Sequence, residues 1–458
     1  MPMNTNSGKM NTSLPDYREE KGLLPDGTEY LIRVPTEWSG VLIRDLDFAM
    51  GAVNPERKDR YLDMLSRGYA VAGTARHRLR QWQYDPLREI ANLDRVLDRF
   101  EARWGSPGTV LQYGCSGGGH MALTVSESFC ERVHGSIALA AHTPVWLMNC
   151  FLDGWFALKV LLAEYYEGAG YGPKSDLSIV SLPNDGSSHP TGHGMEGKLP
   201  EAWRRAFRAA QACPEGRARI ALAFTLGQWP AWMADGTSLP EQTDTDALQA
   251  AMFESALRLA QSPGGEARIM FENAAQGQQL SWNDDVDYVE FFENGNAALK
   301  RATEELYGKT TIELDDDLRR INDAPRIEVS SYALEFWSQP GRTIFGRPKI
   351  PVIRLHMVGD YQIPYTLVQG YMDTVMKNGC SDLVRTAFVH STGHCNFSTA
   401  ESATAVEAML QKLRTGAWPD TNPESLNALG DSLKTYSAPR FMSTDSYELP
   451  RFNRTWIA

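Results

Sequence analysis

The most chemically suggestive pattern in this chain is Gly114-Cys115-Ser116-Gly117-Gly118, a serine with glycine two residues away on each side. It follows the apolar run Thr109 to Tyr113 (TVLQY) and precedes a helix-compatible stretch from His120 to Phe129. A serine on a tight strand-to-helix turn needs small residues at those two positions, because side chains there would collide. Such a turn lifts the hydroxyl above a sheet as a nucleophile. The N-terminus of the following helix favours the negative charge that develops during attack. The Gly117 N–H is the natural first oxyanion donor. A phosphate loop does not fit: the spacing differs from G-x-x-x-x-G-K-[ST], and no lysine follows.

A nucleophilic serine needs a base, and on such a turn the partners follow in the order Ser, acid, His. His394, in HSTGHCNF, lies past the last expected strand, whereas His390 still belongs to the strand end. The acid is expected after the preceding strand, where Asp360 follows IRLHMVG; there it would accept the Nδ1–H of the histidine and fix its tautomer. Asp382 falls at the opposite end of the sheet. The second oxyanion donor is expected in the loop LIRDLDFAMG, from a backbone N–H near Phe48 or Ala49, with Asp45 and Asp47 pointing away from the oxyanion. Arg76, His77 and Arg78 read as a solvated basic loop, although they lie within reach of an acidic group near the site. His189 and His193 have no flanking cysteine or acid set, so a polar loop is expected and no metal. Trp146, Trp155, His142 and Tyr361 are the candidate pocket residues.

The elements that must hold these residues alternate. Leu23 to Pro35 reads as two strands around the turn Pro25-Asp26-Gly27, and Ser39 to Asp45 as a third. Helical spacing over Asn54 to Arg67 leads to the strand Tyr69 to Thr74, and a strongly periodic helix spans Pro86 to Trp104. Gly135 to Ala140 is another strand. After Pro144 the alternation stops for about two hundred residues of helix, tryptophan and loop. It resumes with Pro348 to Met357 (strand), Leu367 to Lys377 (helix), Val384 to His390 (strand) and Ala400 to Arg414 (helix). The expected architecture is α/β: a doubly wound, mostly parallel sheet from residues 15–143 and 345–430, a mainly helical lid over 144–344, and a surface tail over 431–458.

The 458 residues are 42% hydrophobic and 22% charged, ordinary for a globular enzyme. With 45 basic and 57 acidic residues the formal net charge is -12, which argues against nucleic acid as a partner. The polar start does not read as a signal peptide. The longest apolar stretch, Ser136 to Ala163, is interrupted by His142, Pro144, Asp153 and Lys159 and so does not read as a membrane span. The six cysteines are scattered, with no C-x-x-C pair, and are expected to be free buried thiols. A cytoplasmic location follows from these features, with a small-molecule substrate as partner, no membrane, and a homodimer allowed.

The chain resembles actinobacterial and fungal α/β-hydrolase-fold proteins of the esterase and lipase kind. The similarity rests on DGTEYLIRVPTEW-SG, NLDRVLDRF, GCSGGG, GRARIALAFTLGQWP, SWNDDVDY, LDDDLRRINDAPRI, LHMVGDYQIPY and GHCNFSTAE. It implies a triad of Ser116, Asp360 and His394, a helical lid and no cofactor. The chain departs from the pattern at Asp47-Phe48, where His-Gly is usual, and at Cys115 and Gly119 of the elbow. The expected reaction is hydrolysis of an ester, lactone or amide of a bulky, largely apolar molecule through an acyl-enzyme. Two rivals are acyl transfer or ring closure by the same triad, and a non-catalytic binder of apolar ligands on this scaffold.

Overall fold

The computed structural model describes residues 15–51, 58–76, 84–179, 198–265, 267–444 and 454. His77, Arg78, His189 and His193 lie outside them. The chain opens with β1 (Tyr17–Leu23) and β2 (Glu29–Pro35). Asp26 accepts the Thr28 N–H at 3.0 Å and Gly27 takes φ 84°, which closes the turn between them. Seven further strands follow: β3 (Val41–Asp45), β4 (Ala70–Thr74), β5 (Thr109–Cys115), β6 (Gly135–Leu139), β7 (Val352–Asp360), β8 (Val384–Gly393) and β9 (Phe441–Met442).

They form one sheet in the order β1-β2-β4-β3-β5-β6-β7-β8-β9. The six strands from β4 to β8 run parallel; β1, β2 and β9 are antiparallel at the edges. Parallel pairs need crossovers, and helices supply them: α1 (Phe48–Gly51), α2 (Lys58–Ser66), α3 (Pro86–Trp104) and α4 (Gly117–Ser128) before the insertion and α14 (Thr366–Lys377) after it, while α15 (Thr399–Thr415) and α16 (Pro423–Ser432) lead from β8 to the antiparallel β9. α3 has the bounds its sequence signals: Asp85 caps it by accepting the Leu87 N–H, Pro86 opens it and Gly105 (φ 86°) ends it. Ile90, Leu93, Val96 and Leu97 of α3 and Met121 of α4 pack on one face of the sheet. Tyr61 and Met64 of α2 and Val406 and Met409 of α15 pack on the other. The chain therefore has the doubly wound α/β-hydrolase architecture.

Between β6 and β7 lie α5 (Pro144–Gly168), α6 (Lys198–Gln211), α7 (Pro214–Leu226), α8 (Thr245–Leu259), α9 (Arg268–Ala274), α10 (Tyr288–Glu293), α11 (Ala297–Tyr307), α12 (Leu314–Asp323) and α13 (Ser331–Trp337). α5 is long and apolar enough to cross a membrane, but 89% of its most apolar window is buried within the protein. Its Trp155 is wholly buried, 4.8 Å from the Trp203 ring and 6.1 Å from that of Trp229.

The C-terminal stretch does more than wrap the surface. β9 adds an edge strand to β8, and Phe441 is 5% exposed. Beyond it, Arg454 sets its guanidinium 2.8 Å from the buried Asp153 carboxylate of α5. A two-residue strand is too short to leave a periodic signal.

Candidate active site

β5 ends at Cys115 and α4 begins at Gly117, so Ser116 is the whole turn. Its φ of 58° and ψ of -117° form a conformation that L-residues rarely adopt and that concentrates at functional sites. The neighbouring glycines make it possible. A Cβ on Gly114 would lie 2.4 Å from the Gly118 carbonyl carbon, and one on Gly119 would lie 2.5 Å from the Leu139 oxygen. The third glycine therefore lets α4 settle against the end of β6. Backbone bonds pin the turn, with Ser116 N–H donating to Leu139 O and His120 N–H to Ser116 O, both at 2.9 Å. The Ser116 side chain does not cap α4, and Gly117 is the first residue of that twelve-residue helix, where backbone N–H groups have no intrahelical partner and the dipole field is positive.

Asp360 is the last residue of β7, reached through a register irregularity between Met357 and Gly359. It is 0% exposed. His394 follows directly on β8, with Nδ1 at 2.9 Å from Asp360 Oδ2 and 3.0 Å from Oδ1. Asp360 Oδ1 also accepts the Gln362 N–H at 2.9 Å and the Ile363 N–H at 3.0 Å. One carboxylate thus fixes its own loop and orients the imidazole. Behind it, His356 donates from Nε2 to Ile363 O at 2.8 Å; burial lowers its pKa to about 4, so it serves as a neutral strut at ordinary pH.

The cysteine expectation requires correction. Cys115 and Cys395 form a disulfide with Cα atoms 6.1 Å apart, while Cys130, Cys150, Cys213 and Cys380 are free. The bridge joins the residue before Ser116 to the residue after His394 across 280 positions of sequence. Two motifs from distant parts of the chain are thereby held side by side. The signal was present in the sequence: two of six cysteines each adjoin a candidate triad residue. We expect the variant with Cys115→Ala and Cys395→Ala to lose stability on the order of 5 kcal/mol, because so long a loop is released in the unfolded chain. Differential scanning calorimetry would show the lower Tm. A parallel hydrolysis assay should show kcat down by about tenfold from the looser geometry; unchanged values of both would refute the role.

The acids after β3 are close to the turn and do not point away. A Cβ on Gly118 would sit 3.8 Å from Asp45 Oδ1 and 3.9 Å from Asp47 Oδ2. Both carboxylates are occupied by partners. Asp45 accepts the Asp47 N–H at 3.0 Å and the Tyr61 hydroxyl at 2.8 Å, while Asp47 holds Arg76 through both oxygens. Arg76 is therefore an ion-pair partner and not part of a solvated loop. Phe48 opens α1, with its ring 0% exposed and edge-on to Tyr61 at 4.9 Å.

Of the candidate pocket residues, Tyr361 reaches the site: its ring stands edge-on to His394 at 6.4 Å. His142 is buried between the His120 and Phe271 rings, at 5.4 and 5.5 Å. Trp146 is 1% exposed, and Trp155 belongs to the aromatic core of the insertion. Sequence reasoning missed Arg258 at the end of α8, whose guanidinium lies 3.5 Å from the Tyr361 ring centroid. No motif marks it. It also missed Trp232, whose ring lies tilted against that of His390 at 5.0 Å and whose carbonyl would lie 2.7 Å from a Cβ on Gly359.

No family model matches the chain. It is 61% identical over 440 residues to the o-phthalyl amidase of Xanthobacter agilis, covering 96% of this chain and 97% of that protein. Among solved structures, an esterase from Aspergillus oryzae superposes with a TM-score of 0.42 at 13% identity, over 87% of this chain and 80% of its own. Candida antarctica lipase A gives 0.37 at 11% identity, over 88% and 82%. At such scores the fold assignment rests on the strand order and the turn at Ser116 described above.

Proposed function

The chain belongs to the o-phthalyl amidase family of hydrolases, and from that premise we propose that it cleaves an amide bond of an aromatic acid by attack of Ser116, with His394 as base and Asp360 as the residue that orients it. The observation that carries this reading is the convergence at one edge of the sheet. His394 Nδ1 lies 2.9 Å from the buried Asp360, and the Cys115–Cys395 bridge sets the histidine beside the serine turn.

The steps follow from the geometry. With Nδ1–H held by Asp360, the Nε2 lone pair of His394 takes the Ser116 proton as Oγ bonds to the amide carbonyl carbon. The carbonyl oxygen becomes an oxyanion against the Gly117 N–H and a second backbone donor after β3. The imidazolium then gives its proton to the departing nitrogen, the C–N bond breaks, and an acyl-serine remains. Water, deprotonated by His394, attacks the acyl carbon and frees the carboxylic acid and Ser116. The insertion serves as a lid: Phe151 of α5 and Arg258 of α8 border the same cleft as Tyr361 and Gln362, next to Asp360.

Intact-mass analysis after treatment with a fluorophosphonate tests the reading. One adduct is expected, on the peptide that contains Ser116. An unmodified chain, together with no release of amine from a phthalyl amide, would remove the serine mechanism.

A further inference from the structure

The arginines around the core and the insertion are mostly committed to carboxylates. Arg76 pairs with Asp47, Arg219 with Asp317, Arg268 with Glu272, Arg342 with Asp85 and Arg454 with Asp153. Arg354 has no acid partner among the described residues, but it is buried against Tyr371 and donates a hydrogen bond to Ala141 O. Arg258 differs from all of them. Among the described residues its guanidinium meets the Gln261 side-chain oxygen and the face of Tyr361, and no carboxylate. It is half-buried and borders a cleft with Phe151, Leu259, Tyr361 and Gln362.

The position of this cation matters more than its charge. Tyr361 adjoins Asp360 and stands 6.4 Å, ring to ring, from His394, and Arg258 lies on that tyrosine. The guanidinium is therefore one aromatic ring removed from the proposed base. Stacking occupies its face and leaves edge N–H groups as a planar fork, which suits a carboxylate. A half-amide of benzene-1,2-dicarboxylic acid carries such a carboxylate on the carbon next to the one that bears the scissile carbonyl. A group that close to the reacting carbon must be received close to the triad, and Arg258, one ring from His394 and held by no carboxylate among the described residues, is a cation so placed.

We infer that Arg258, stacked on Tyr361, determines specificity by receiving the free ortho carboxylate of an aromatic half-amide. This rests on the amide-hydrolysis reading above. The test compares two anilides with the same leaving amine, 2-carboxybenzoyl and benzoyl, by kcat/KM. The native chain should prefer the first. Arg258→Gln should lower kcat/KM for the first by about 100-fold and leave the second within about threefold, since a charged hydrogen-bonded pair is lost only with the first. Arg258→Lys should keep part of the preference. An equal fall with both anilides would make Arg258 merely structural, and an unaltered preference would remove it from recognition; either overturns the inference.

A native chain that cleaves neither anilide sinks the hydrolysis reading instead. In that case calorimetric titration still decides the carboxylate site. Benzene-1,2-dicarboxylate should bind about tenfold tighter than benzoate, and Arg258→Gln should abolish the difference. Equal binding of the two acids by the native chain overturns the site.

Discussion

Alanine at Ser116 is expected to lower kcat for amide hydrolysis by roughly a millionfold, because a serine nucleophile and its base act as one unit and losing either removes nearly all that the unit contributes. The remaining rate should still exceed that in water by about a thousandfold, through oxyanion donors and substrate binding that the substitution leaves in place. Stability should not fall with it. The Ser116 side chain forms no cap bond to α4, so alanine forfeits no hydrogen bond there. The backbone strain at φ 58° is the same for alanine as for serine. Glycine at this position should relieve that strain and raise stability by about 1 kcal/mol, with activity still absent. Steady-state kinetics and thermal unfolding on both variants would check this. A Ser116→Ala protein that keeps more than about one per cent of kcat cannot use Ser116 as nucleophile.

The tight turn at Ser116 is what made the candidate site legible in the sequence. A turn this tight demands glycine at 114, where a Cβ would lie 2.4 Å from the Gly118 carbonyl carbon, whereas a Cβ on Gly118 would meet nothing closer than 3.8 Å outside its own helix. The order Ser, acid, His then led from the turn to Asp360 and His394, because parallel strands place their C-terminal ends at one edge. Gly119, read as a departure, is explained by the close approach of α4 to Leu139. Features that depend on pairing at a distance were not legible. A disulfide across 280 residues has no local period, and its clue was adjacency to two motifs. Arg258 sits at the end of an ordinary helix, and only the folding of the insertion over Tyr361 gives it meaning. Trp155 shows the reverse case: a large aromatic in a helix that faces the core of the insertion has the same sequence pattern as one that lines a pocket.

Asparagine at Asp360 is expected to lower kcat by about 10⁴-fold while leaving the fold intact, and the existing hydrogen bonds dictate why. Oδ1 accepts two backbone N–H groups, from Gln362 at 2.9 Å and Ile363 at 3.0 Å. An asparagine must keep its carbonyl oxygen there, because an amide NH₂ facing two donors would leave all of them unsatisfied in a buried site. Its NH₂ then takes the place of Oδ2, which lies 2.9 Å from His394 Nδ1. A donor at that point requires His394 to accept through Nδ1 and carry its proton on Nε2. The nitrogen that should take the Ser116 proton is then already protonated, and the imidazolium loses its counter-charge. Nitrogen NMR of His394 should show the proton moved from Nδ1 to Nε2 in the variant. Alanine at the same position separates the two roles of the carboxylate. It strands the Gln362 and Ile363 N–H groups and should also cost stability, on the order of 2 kcal/mol, which asparagine should largely spare. Equal destabilisation by both variants would contradict the proposed orientation of the amide. An unshifted His394 tautomer in Asp360→Asn would contradict the assignment of Asp360 as the orienting acid.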